Sequence, residues 1–289
     1  MTRGRGAPNA RSPSSLFDRA RCLLLLLAAA ASSGCAGGAP LLHPARVLPL
    51  GEVRAAAGFS ANFAAAGLAS AVRGAVDEAA TGQPPGPPGT DAAYARGALV
   101  AAAVGPGLAP FIGARVGMGA DVEGGLSYTG RSVRADVRRS FALSQTWSLS
   151  LGVGGSAVLY GRQDASDLPA VDLGELHGWG ADVPVVIGYA SDGDLYTLWL
   201  GARTGWEHVD IGGVTSVPDS VDLGGASPPL SATRFWGGGL LGAAVGFRHV
   251  HVAMEIDVSY EDIVGDFNQT HAQASGLAVA PAGALWWTF

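Results

Sequence analysis

Apolar side chains recur at every second position along most of this chain, a period that belongs to β-strands with one apolar face. The first clear run places Val53, Ala55, Ala57, Phe59, Ala61 and Phe63 on one side and Arg54, Ser60 and Asn62 on the other. The same rhythm returns over 111–118, 122–129, 133–138, 147–153, 179–189, 196–207, 241–247, 250–260 and 276–289. Together these make ten segments of about the length that a tilted membrane strand requires. Aromatic residues mark the ends of the apolar faces: Tyr128, Trp147, Trp179, Tyr189, Trp206, Tyr260, Trp287 and Phe289.

The rhythm breaks over 64–106. Leu68, Val72 and Val76 recur there at helical spacing, 84–89 reads as a loop, and Asp91 is placed to cap an alanine-rich helix running through Val104. Further long connections are expected at 161–176, 209–232 and 262–275. All four follow odd-numbered strands, so they fall on one side of the sheet, with short turns on the other. Counting Ala92–Val104 as a strand would give eleven and scatter the long loops over both sides. Ten strands with a helical or irregular insertion after the first is therefore preferred, with twelve as the alternative.

The last segment carries the most specific signal. Leu277, Val279, Pro281, Leu285, Trp287 and Phe289 share one face, interrupted by Gly283, and the chain stops on the aromatic. This resembles the closing strand of bacterial outer-membrane β-barrels, an all-β class of antiparallel transmembrane barrels with an apolar exterior and aromatic girdles. The resemblance implies that Trp287 and Phe289 form a C-terminal signal read by the barrel-assembly machinery during insertion. It also implies short periplasmic turns, long external loops and both termini in the periplasm. Ala284 departs from the pattern, which favours glycine there; Gly283 stands one place early.

The opposite end points to the same compartment. Arg3, Arg5, Arg11, Arg19 and Arg21 precede a short apolar run from Leu23 to Ala31, as in a secretory signal peptide, and the run is too short to be a transmembrane helix. Ser33-Gly34-Cys35 resembles a bacterial lipobox, with Ser32 where leucine is favoured, and implies acylation of Cys35. The plainer alternative is signal cleavage near Ala29–Ala31, which leaves Cys35 a free thiol. The expected organisation is a signal peptide (1–34), a lipidated tether (35–50) and an outer-membrane barrel (51–289). The anchor would sit on the periplasmic side.

Composition narrows the partners. Removing residues 1–34 takes away five arginines and one aspartate, leaving 13 basic and 23 acidic residues, a net of −10. That charge argues against nucleic acid and anionic lipid surfaces. The expected partners are outer-membrane lipid and lipopolysaccharide, the latter through cations on acidic outer loops: Asp164, Asp167, Asp172 and Glu175, then Asp210, Asp219 and Asp222, then Glu261, Asp262 and Asp266. A plain solvated surface explains the same residues. With Cys22 in the signal peptide, the mature chain has no pair for an internal disulfide.

With the apolar stripe facing lipid, the inward face holds Arg115, Glu123, Arg134, Asp136, Arg138, Asp182, Arg203, Glu207, Glu255 and Asp257. Ten strands enclose a narrow lumen, so these charges are expected to pair and largely fill it, the competing reading being a small selective pore. His249 and His251 are weak metal candidates; Glu255 is about 13 Å along the strand from His251. No cofactor or catalytic residue is expected; His177 and His208 near strand ends give no supported enzyme site. The expected role is structural or minor passive transport. The alternative is a lipid-anchored, lipocalin-like barrel that does not span the membrane and binds an apolar ligand, with charges outside and the stripe inside.

Overall fold

The computed structural model describes residues 38–80, 92–161, 168, 171–212 and 229–289. Its strands are β1 (Val53–Ala64), β2 (Gly107–Gly119), β3 (Val122–Tyr128), β4 (Ser132–Ala142), β5 (Trp147–Val158), β6 (His177–Ala190), β7 (Tyr196–Ile211), β8 (Leu230–Phe247), β9 (Val250–Phe267) and β10 (Thr270–Thr288). Each pairs antiparallel with its neighbours in sequence, and β1 pairs with β10 to close the ring. The helices α1 (Ala66–Ala80) and α2 (Ala92–Val104) are inserted between β1 and β2. The fold is thus a closed, ten-stranded antiparallel barrel with a helical insertion after its first strand.

Alternation decides which way each side chain faces. Ile112, Leu126, Val153, Leu200, Leu241, Met254 and Leu285 all point outward and are exposed. Aromatics bound this apolar belt above and below. On β7, Tyr196 and Trp206 are ten residues apart, about 33 Å along the strand and about 25 Å in height at a tilt of about 40°. That height matches the apolar band of a membrane barrel. At one rim Trp147, Tyr189 and Tyr196 form a ladder with ring centroids 5.6 and 5.9 Å apart. Trp179 and Trp206 meet edge to face at 4.4 Å near the other.

The two rims differ. One carries Phe289 and the short connections 120–121, 143–146, 191–195 and 248–249; Phe289 N donates to Val53 O at 2.8 Å and completes the seam. The other carries both helices. Above the aromatic ring at this helix rim, β7 to β10 continue, but the polarity of their two faces is exchanged. On β9 the outward residues change from Val252, Met254, Ile256, Val258 and Tyr260 to Asp262, Val264 and Asp266. The inward ones change from Glu255, Asp257 and Glu261 to Ile263 and Phe267.

The reason is α2. It is buried on nearly all sides, and Tyr94, Leu99, Ala102 and Val104 pack against Val209, Ile211, Leu230, Ala232, Ile263, Phe267, Ala272 and Ala274. α1 lies beside it, and Gly97 permits the approach: a Cβ there would strike Ala75 and the carbonyl of Ala71. The connection expected at 262–275 is accordingly strand on both sides of a two-residue turn, Asn268-Gln269. Both turn residues have positive φ (45° and 67°), as a type I′ hairpin demands.

Candidate functional site

The lumen is the site that the fold builds. Inward positions of β2, β3, β4, β6 and β7 supply Arg115, Glu123, Arg134, Asp136, Arg138, Asp182 and Arg203, which join into one chain of ion pairs. Arg138 pairs with Glu123 at 3.0 Å, and Glu123 with Arg115. Arg115 reaches Asp136 at 2.5 Å, and Asp136 also takes Arg134 at 2.5 Å. Arg134 then donates two hydrogen bonds to Asp182, at 2.7 and 2.8 Å. Asp182 accepts a second pair from Arg203, at 2.9 and 3.2 Å. Room for these guanidiniums comes from glycine: a Cβ on Gly125 or Gly154 would overlap Arg115 or Arg134.

A second cluster lies toward the helix rim. Glu207 on β7 pairs with Arg131 at 3.0 Å and with Arg234 at 3.3 Å, and Arg234 also approaches Glu261 at 3.6 Å. Arg131 donates to the carbonyls of Ala102 and Ala103 at 3.0 and 3.3 Å, and Asn62 Nδ2 to that of Val104 at 2.7 Å. These are C-terminal carbonyls of α2, which no helix can satisfy internally, and a cation there also suits the helix dipole.

Alongside the first cluster runs the chain itself. Residues 38–48 of the segment read from the sequence as a tether (35–50) pass along the inside of the barrel, and Pro49 and Leu50 emerge exposed at the rim. Ser60 Oγ donates to Gly38 O at 3.1 Å, and Arg203 donates to Ala39 O. Glu255 accepts from Leu41 N at 2.7 Å, Leu42 N at 3.0 Å and Trp199 Nε1 at 2.8 Å. Arg138 donates to Pro44 O and, at 3.4 Å, to Arg46 O; Glu123 accepts from Leu48 N at 2.8 Å. Leu41, Leu42 and Ala45 pack on Phe111, Val186, Trp199, Leu240, Ala244 and Trp286. Gly51 (φ 84°) then turns the chain at the rim into β1.

The ten expected lumen residues therefore divide. Seven form the ion chain, Glu207 belongs to the upper cluster, and Glu255 holds the inner segment. Asp257 is buried, and its Oδ1 has no hydrogen-bond partner among the described residues. Trp287 and Phe289 face outward, rings 6.1 Å apart. His249 lies exposed in the β8–β9 turn, while His251 points inward and bonds Asp194 O at 2.8 Å. No group of three metal-ligating side chains occurs among the described residues. Glu261, expected on an outer loop, is buried beside Arg234 because β9 continues through it. Asp262 and Asp266 do face out, toward Gln273 and His271. Cys35, the signal peptide, and Asp91, Asp164, Asp167, Asp219 and Asp222 lie outside the described residues.

Sequence reasoning missed Arg131, Arg234 and the inner segment. Arg131 sits in a three-residue turn and Arg234 above the segment recognised as strand eight, so neither had a face to be assigned to. The inner segment has no period at all, and its only cue is four leucines among prolines in a stretch with one charge, Arg46.

Neither a protein-family model nor a curated protein matches the chain. Among solved structures it is similar to Neisserial surface protein A (NspA), with a TM-score of 0.32 and 11% identity, covering 82% of this chain and 96% of that one. It is also similar to a doubly substituted variant of OccD1 (OprD), with a TM-score of 0.19 and 8% identity over 63% of this chain and 60% of that one. At TM-scores this low, the assignment of the fold stands on strand pairing alone.

Proposed function

We propose that the chain is an outer-membrane β-barrel whose lumen is closed by its own N-terminal segment. Its role is structural, with minor passive transport at most and no enzymatic activity. The distribution of polarity carries this reading: an apolar belt about 25 Å high outside, and a buried network of arginines and carboxylates inside. The lipocalin-like alternative needs the reverse, with an apolar interior and charged exterior. The short turns support a periplasmic rim at Phe289 and an external face for the helices. Trp287 and Phe289 are the residues offered to the assembly machinery, and the exposed acids of the helix rim, among them Asp262 and Asp266, face the lipopolysaccharide.

The lipid anchor expected at Cys35 meets a geometric condition. Gly38 bonds Ser60, seven residues up β1 from Val53, or about 18 Å above the periplasmic rim. Three residues from Cys35 to Gly38 span about 10 Å at most. An anchor in the periplasmic leaflet therefore requires the segment to leave the lumen, so anchoring there and threading are alternative arrangements. Intact mass of the mature protein separates acylated Cys35 from cleavage near Ala29–Ala31.

The reading is tested by expressing the precursor in a Gram-negative host and purifying outer membranes. A folded barrel should change its gel mobility on boiling, and in a planar bilayer it should stay silent or nearly so. Steady conductance of an open pore would overturn the closed lumen. Absence from the membrane fraction would overturn the barrel's location.

A further inference from the structure

We propose that the lumen is a binding tunnel for a bent, non-strand polypeptide segment, read through its main chain, and that residues 38–50 are the occupant which this chain supplies to itself. The partner class is a proline-containing, nearly uncharged segment of a second polypeptide with apolar side chains. The inference rests on the threaded arrangement described above.

The wall addresses the backbone. Over eleven residues, five side chains on five strands (Ser60, Glu123, Arg138, Arg203 and Glu255) bond seven main-chain groups: the carbonyls of Gly38, Ala39, Pro44 and Arg46 and the amides of Leu41, Leu42 and Leu48. Carboxylates meet amides and guanidiniums meet carbonyls, a set that is charge-assisted in all but the Ser60 bond. Leu42 (φ 48°) bends the chain so that two successive amides reach Glu255, and a polypeptide that takes this bend can satisfy the set. Pro40, Pro44 and Pro49 restrict the backbone on either side of the Leu42 bend and remove three amides that would otherwise need acceptors.

The segment's side chains are treated differently. Leu41, Leu42 and Ala45 meet only apolar packing, which tolerates exchange among residues of similar volume. His43 is fully buried, yet neither ring nitrogen has a hydrogen-bond partner among the described residues. No described wall residue bonds this side chain, so nothing in the wall ties the position to histidine. An apolar residue at that position should fit as well or better.

The test keeps the full chain. A protease site is inserted after Gly51, which is exposed and has open space around its Cα. The protein is folded in detergent and cut, so that the segment is held only by the tunnel. Fluorescent peptides are then exchanged in: one with the sequence of residues 38–50, one carrying His43→Leu, and one N-methylated at Leu41 and Leu42. The first should bind saturably, the second equally or several-fold more tightly, and the third at least tenfold more weakly, since Glu255 loses both amides.

No exchange into the cut barrel would overturn the proposal, as would equal binding of the N-methylated peptide. If cutting unfolds the barrel, the first peptide must restore the heat-sensitive gel species, and failure to do so overturns it as well. Binding is read in detergent, so it stands or falls separately from membrane location and conductance.

Discussion

Asp182 accepts hydrogen bonds from arginines on two different strands, so its removal strands both. Asp182→Asn leaves Arg134 and Arg203 buried and short of one negative charge, a loss that typically costs about 3–5 kcal/mol. The denaturant midpoint in detergent should fall accordingly. Asp266→Asn is the control, because Asp266 pairs with His271 in the open at the helix rim, and the midpoint should hardly move. On the outer face the proposed contact with lipid sets the sign of the penalty. Met254 lies in the middle of the apolar belt, and Met254→Arg should cost about 2–4 kcal/mol of membrane stability. Loss of the heat-dependent gel shift from outer membranes would register it. An unchanged yield of folded barrel would argue that this face meets water or protein instead.

At the scale of elements, the strands of the belt were legible because an apolar outer face and paired charge inside give an uninterrupted period of two. Legibility ended where that contrast inverted. Residues 262–275 look like a loop because Asp262, Asp266, His271 and Gln273 appear where outward apolar residues had been, while the pleat itself never stops. The insertion was legible in part. Leu68, Val72 and Val76 marked α1, but nothing in α2's even apolar coat says that it would serve as a lid over the lumen. The inner segment was barely legible, since a chain held largely by its main chain leaves little trace beyond a few apolar side chains. The hairpin above the belt offers a local prediction. Gln269 has φ 67° in a turn type that favours Asn-Gly, so Gln269→Gly should stabilise the β9–β10 tip by up to about 1 kcal/mol. Slower amide exchange at Thr270 and Phe267 would show it.

For the whole molecule in its proposed membrane setting, the exchange of polarity above Tyr260 sets how deep the barrel sits. Moving it two residues further in would drag Asp262 into hydrocarbon, so thick bilayers must thin around it. Thermal stability in defined lipids should be greatest near a 25 Å core, by the belt height of about 25 Å, and decline with longer acyl chains. The threaded segment has a consequence of another kind, for the order in which the molecule is made. A closed ring admits a strand through its centre only end-first. Residues 38–50 are continuous with β1, one side of the β1–β10 seam. The direct route is therefore to lay the segment across the inner face of the still-open sheet and zip the seam over it. A chain that zipped early would shut its own N-terminal end out on the wrong side and would have to part the seam again to recover.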